Sequence, residues 1–262
     1  MAAAAFALLP GYRADAGATR LPTGELELHY ELPQAPHETI PYRIYLPSNW
    51  TAERQWPLVM ILHGYGGNAG TPFEDAGGRL QQLADRHGFI LASPNGYNGL
   101  ADYGANLPLP SKLERPGPPP RLPVHEESAL AEADVLNVLE RVTAGYHVDR
   151  RRIFLMGNSM GMTGVLHLAS TRPRIWCAIS ASGGPPWPGY PAERLHPISG
   201  VLLVHGALDD IADPAHTRAL ADRLRREGID VRMHLVTDGT HADAWVRYLP
   251  ETFAFFAERR CD

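Results

Sequence analysis

A serine stands between two glycines in Gly157-Asn158-Ser159-Met160-Gly161, directly after the apolar run Ile153-Phe154-Leu155-Met156. Glycine weakens a strand or helix interior by roughly 0.5–1 kcal/mol relative to alanine, so this pair marks a backbone constraint. In a tight strand-to-helix turn, a side chain two residues before or after the serine would strike the neighbouring helix or strand. Glycine removes both collisions. The product is a hydroxyl presented at the carboxyl edge of a sheet, where the amides of a new helix point toward it. Such a hydroxyl is a weak nucleophile until a base takes its proton, and the base in turn needs an acid to orient it.

The chain offers both partners. Of its 12 histidines, His87 and His147 read as helix-end residues, His234 as a strand residue, and His29 and His37 as hairpin residues. His241 differs, because it follows the last predicted strand in DGTHADAW, at the same sheet edge as the serine, with Gly239 free to bend the loop back. Asp209, in HGALDDIADP, follows the strand before it. The order Ser159, Asp209, His241 is the order associated with a strand-turn-helix nucleophile. Asp210 is the competing acid, whereas Asp213 reads as a helix cap and Asp238 as a loop residue. Acyl transfer also needs donors aimed at the developing oxyanion. The amide of Met160 follows from the turn, and that of Tyr65 is the second candidate, in the flexible, glycine-rich stretch HGYGGNAG at 63–70. His63 reads as a structural residue that holds this loop through its side chain. Tyr103, Trp187 and Trp245 are the candidate substrate contacts.

These residues need a scaffold that brings distant segments to one edge. ELELHYELP (25–33) and IPYRIYLP (40–47) alternate polar and apolar residues, predicting an antiparallel hairpin with one wet face. Six near-continuous apolar runs follow, at 57–64, 89–96, 152–159, 176–184, 201–210 and 231–241, as expected of strands covered on both faces. Helical patterns separate them at 73–88, 125–146 and 213–228, and another closes the chain at 243–260, where Pro250 should kink or divide it. Alternating strand and helix imply right-handed crossovers in a mostly parallel eight-stranded sheet with helices on both faces. Residues 97–124 break the rhythm as a proline-rich loop, too long for an ordinary connection and placed to border the site.

Bulk properties narrow the function classes. A chain of 262 residues that is 44% hydrophobic can build one large core, so residues 1–262 read as one domain. A net charge of −5 with mixed signs leaves no footprint for a phosphate backbone, which argues against a nucleic-acid partner. No run approaches the ~20 apolar residues of a membrane-spanning helix. Residues 1–20 hold a short signal-like or flexible segment that lacks a basic start, so export and cytoplasmic residence both stay open. Cys177 and Cys261 lack metal-ligand spacing and read as unrelated thiols, one in a core strand and one at the terminus, with pairing as the alternative.

Taken together, LHGYGG, RRIFLMGNSMG, VHGALDDIADP and DGTHADAW resemble the α/β-hydrolase superfamily, and within it the serine esterases similar to polyhydroxybutyrate depolymerases and feruloyl esterases. The similarity covers roughly residues 25–260. It implies an α/β-hydrolase fold and a Ser–His–Asp hydrolase without metal or cofactor, acting on a small or polymeric ester. Two departures stand out. Met162 precedes Gly164 where similar esterases often carry more glycine, and the segment after SASGG is too short for a large helical lid, which implies an open site. A serine peptidase resembling the prolyl oligopeptidases and a non-catalytic binding protein of the same fold are the alternatives.

Overall fold

A computed structural model of the chain describes residues 23–107, 120–185 and 187–261. The signal-like amino terminus and the proline-rich part of the 97–124 loop fall outside these residues. Eight strands, β1 (Gly24–Glu31), β2 (Thr39–Leu46), β3 (Trp56–Leu62), β4 (Ile90–Pro94), β5 (Val148–Asn158), β6 (Ala178–Ser182), β7 (Val201–Gly206) and β8 (Val231–Val236), form one sheet. Their spatial order is β1-β2-β4-β3-β5-β6-β7-β8. The hairpin β1–β2 is antiparallel and β2 joins β4 antiparallel, while β4, β3, β5, β6, β7 and β8 run parallel.

Period-two patterning explains why the parallel strands are buried on both faces. In β3, Leu58, Met60 and Leu62 enter one core while Val59 and Ile61 enter the other. In β5, Ile153 and Leu155 face the first core and Phe154 and Met156 the second. Helices α3 (Val124–Gly145), α4 (Met160–Thr171) and α5 (Pro214–Arg226) cover the first face through Val135, Val165 and Leu224. Helices α1 (Thr71–Asp75), α2 (Arg79–His87), α6 (Ala244–Arg247) and α7 (Leu249–Ala257) cover the second through Phe73, Leu80, Trp245 and Phe253. Each such aliphatic or aromatic side chain contributes roughly 1.5–3 kcal/mol on full burial.

Local chemistry sets the element ends. The expected helix 73–88 is divided into α1 and α2, because Gly77 and Gly78 both adopt positive φ. Asp213 caps α5 by accepting the Ala215 amide at 2.8 Å, with Pro214 at the first helical position. The carboxyl-terminal helix divides at Tyr248, and Pro250 falls in the first turn of α7, where its missing N–H has no cost. The last strand departs from the doubly covered pattern: β8 is a sheet edge, and only Val236 in it is buried.

The cysteines are not unrelated thiols. Cys177 and Cys261 form a disulfide that closes a separation of 84 residues, with Cα atoms 5.4 Å apart. The end of the chain is drawn to the start of β5, where the Cys261 amide donates to the Arg151 carbonyl at 2.9 Å. Sequence spacing could not reveal this, because the two segments meet only after the sheet has formed.

Candidate active site

The serine turn follows the steric logic of its glycines. Ser159 has φ 58° and ψ −121°, a conformation non-glycine residues rarely adopt. A Cβ on Gly157 would lie 2.6 Å from the Gly161 carbonyl oxygen, and one on Gly161 would run into the Leu62 carbonyl of β3. Backbone bonds fasten the turn at both ends, from Ser159 N–H to the Ser182 carbonyl at 2.8 Å and from Met162 N–H to the Ser159 carbonyl at 2.9 Å. Met160 supplies the first amide of α4. Met162 is buried beneath the next loop, and its Sδ accepts the Gly184 amide at 3.1 Å.

His241 arrives on the turn after β8. The Gly239 carbonyl accepts the Leu208 amide at 2.9 Å, which ties this turn to the loop after β7. Thr240 donates its amide and hydroxyl to Asp243 Oδ1 at 2.6 and 2.8 Å, and these bonds hold the Asp243 carboxyl below the usual carboxylate range. Gly206 leaves room for the approach, since a Cβ there would lie 2.6 Å from the Thr240 carbonyl. The ring reaches both partners: Nε2 is 2.9 Å from Ser159 Oγ and Nδ1 is 2.8 Å from Asp209 Oδ2. A carboxylate only accepts, so the network assigns the proton to Nδ1 and leaves Nε2 to accept from the hydroxyl. The Asp209 side chain is fully buried, while that of His241 is 20% exposed. Asp210, the rival acid, is exposed, Asp213 serves as the α5 cap, and Asp238 pairs with Arg247 at 2.7 Å.

The Esterase family model matches residues 34–256. The chain belongs to that family. Among its relatives, it is 33% identical over 132 residues to feruloyl esterase B of Neurospora crassa, an alignment covering 48% of this chain. The chain spans only 38% of that relative's length. Its backbone is similar to an S-formylglutathione hydrolase from Agrobacterium tumefaciens, with a TM-score of 0.71, 15% identity, and coverage of 90% and 95% of the two chains. It is also similar to the feruloyl esterase module from Clostridium thermocellum, with a TM-score of 0.66, 15% identity, and coverage of 89% and 87%. At these identities the structural likeness establishes the α/β-hydrolase fold.

Within this esterase-family chain, the loop after β3 is better fixed than its glycines suggest. His63 is buried, with its ring nitrogens each 2.8 Å from a carbonyl oxygen, of Gly64 and of Asn95, and burial lowers its pKa. The Gly66 amide donates to the Gly99 carbonyl at 2.6 Å. The adjoining 95–97 turn is held by Asp134, which accepts the Gly96 and Tyr97 amides at 2.7 and 3.2 Å and the Tyr30 hydroxyl at 2.6 Å. Burial pushes the Asp134 carboxyl up to about 6 against these hydrogen bonds. The loop so braced passes close to the serine: a Cβ on Gly64 would lie 3.4 Å from Ser159 Cβ, and Tyr65 is the next residue.

Two expected substrate contacts are corrected. Tyr103 is fully buried; its hydroxyl donates to the His63 carbonyl at 3.2 Å, and its ring fills the space that the missing side chain of Gly164 leaves. It supports the site from beneath. Trp245 is 7% exposed within the second core, so it packs α6 rather than meeting substrate. Trp187 is half-buried, its ring parallel to His167 of α4 at 6.4 Å and edge-on to Tyr190 at 5.2 Å. Sequence reading overlooked His205, Asp134 and Asn95. The signal for His205 was a lone imidazole at the end of the apolar run VLLV, immediately before the acid loop.

Proposed function

We propose that this chain is a carboxylic ester hydrolase acting through an acyl-enzyme on Ser159, with His241 as base and then acid, and Asp209 orienting it. One observation carries the reading: an unbroken line of contacts from Ser159 Oγ to His241 Nε2 at 2.9 Å and from His241 Nδ1 to Asp209 Oδ2 at 2.8 Å. Attack of Oγ on the ester carbonyl carbon transfers the hydroxyl proton to Nε2. The tetrahedral oxyanion accepts hydrogen bonds from the Tyr65 and Met160 amides in this proposal. Collapse breaks the ester C–O bond, and the leaving alkoxide takes the proton from His241. Water then repeats the sequence, giving its proton to His241 while its oxygen bonds to the acyl carbon, and Ser159 leaves with that proton to release the carboxylic acid.

Short-chain, aryl or feruloyl, and polyester substrates fit this proposal. A relative named feruloyl esterase B and a structural neighbour named a feruloyl esterase module complexed with sinapinate favour an aromatic acyl group. Trp187 is the candidate contact for its ring. Between Gly184 and β7 the helical structure among the described residues is one turn, Ala192–Leu195, which supports an open site. A panel of acetyl, butyryl and feruloyl esters, a polyester film and peptide amides tests the reading, alongside mass spectrometry of the Ser159 peptide after treatment with an activated phosphonate. Ester turnover with a covalent adduct on Ser159 is expected. Cleavage of amides in preference to every ester would replace the reading with the peptidase alternative, and absence of both turnover and adduct would favour a binding role.

A further inference from the structure

The alternation of β7 places Leu203 toward the first core and Val204 toward the second, so His205 points to the α5 side. There it is completely buried. An imidazole in such surroundings is costly unless its nitrogens are hydrogen-bonded, and both are engaged. Nδ1 lies 2.7 Å from Thr217 Oγ1 of α5, and Nε2 lies 3.0 Å from the Ala212 carbonyl and 3.1 Å from Asp209 Oδ2. The two neighbours of Nε2 only accept, so Nε2 carries the ring proton, and Nδ1 accepts from the Thr217 hydroxyl. Burial lowers the His205 pKa, with the His241 ring acting in the same direction and the Ala212 carbonyl and Asp209 opposing.

The consequence concerns the two oxygens of Asp209. Oδ1 is anchored by the amides of its own turn, Ile211 at 2.9 Å and Ala212 at 2.8 Å. Oδ2 is the oxygen that His241 meets at 2.8 Å. Without His205, Oδ2 would be held, among the described residues, only by the ring it has to orient. We propose that neutral His205, locked by Thr217, is a positioning residue that fixes Asp209 Oδ2 through its Nε2–H and thereby sets the plane of the carboxylate against His241. Its catalytic consequence rests on the ester hydrolase reading, while the geometric part stands apart from it.

The test pairs a spectroscopic readout with kinetics, so that the two readings fail separately. Histidine-labelled protein examined by ¹H–¹⁵N NMR should show His205 as the neutral Nε2–H tautomer at about pH 7–8. The low-field proton of His241 Nδ1 should broaden or disappear in His205→Leu and persist in His205→Gln, whose amide can donate from a similar position. Thr217→Val, which leaves Asp209 and His205 in place but frees the ring tautomer, should weaken the same resonance to a smaller degree. In ester hydrolysis, His205→Leu should lower kcat by about 10–100-fold with KM nearly unchanged, up to the loss that a small misplacement of catalytic groups brings, and His205→Gln should recover most of it. A His241 resonance unaltered in His205→Leu, or a kcat loss that His205→Gln does not rescue, overturns the proposal. If the wild-type chain hydrolyses no ester, the function reading fails and the NMR arm still decides the role of His205.

Discussion

The serine turn and the Asp209–His241 side of the candidate site are built by opposite means. At Ser159 the backbone does the holding: a positive φ of 58° is kept by backbone hydrogen bonds in a turn so tight that a Cβ at Gly157 or Gly161 would meet backbone atoms of the opposing helix or strand. At Asp209 and His241 the backbone is ordinary, neither residue having a positive φ, and side-chain hydrogen bonds hold the geometry. The first device is steric and local. The second depends on four donors converging on one buried carboxylate from its own turn, from β7 and from the turn after β8. Steric devices fail abruptly when one atom is added, whereas a polar network loses its function in steps as donors are removed.

Mutations can break that contrast, beginning with the group both sides serve. Ser159→Ala should reduce hydrolysis of p-nitrophenyl acetate by about 10⁶-fold, since triad members act as a unit; retention of most activity would remove Ser159 from its role. Asp209→Asn should cost about 10⁴-fold in kcat, because the amide can present the wrong hydrogen-bonding face to His241. Asp210→Asn, at the exposed neighbour, should change little, and the reverse ranking in paired kinetic assays would reassign the acid. Gly161→Ala places a methyl against the Leu62 carbonyl. Chemical denaturation should then show a loss of about 1–3 kcal/mol, with kcat down about 10²-fold from displacement of the hydroxyl. A fully stable and active Gly161→Ala variant would show that the turn tolerates what its geometry forbids.

The smallest effect on turnover should come from a site remote from both regions. Replacing Cys177 and Cys261 together by alanine removes a crosslink across 84 residues, and unfolding should become easier by about 2–4 kcal/mol. The kcat of the folded variant should stay unchanged. A fall in kcat measured well below the melting temperature would mean that the start of β6 is coupled to the serine turn through the strand itself.

Much of this architecture was legible because its causes are short-range in sequence. Period-two burial in β3 and β5, the Asp213-Pro214 start of α5 and the division of the last helix just before Pro250 each follow from a few adjacent residues. The elbow was legible for the same reason. One miss was local, the split of the expected helix 73–88 at Gly77 and Gly78, but others involved contacts between segments: Tyr103 and Trp245 looked available to a substrate and are buried in the first and second cores. The pairing of Cys177 with Cys261 and the bracing of the 95–97 turn by Asp134 join residues 84 and 37–38 positions apart. An aromatic or a carboxylate in the chain carries no mark of which other segment will bury it.

By itself, the sequence determined where a strand must turn sharply into a helix, because Gly157 and Gly161 flank the serine and apolar alternation sets the strand's two faces. Folding in three dimensions decided which acid and which histidine reach that serine, and placed a second imidazole, His205, behind the acid. The physical reason is one of range. Steric limits on φ and ψ act between neighbouring residues, but hydrogen bonds to a buried carboxylate exist only once the sheet has assembled the elements that exclude water around it.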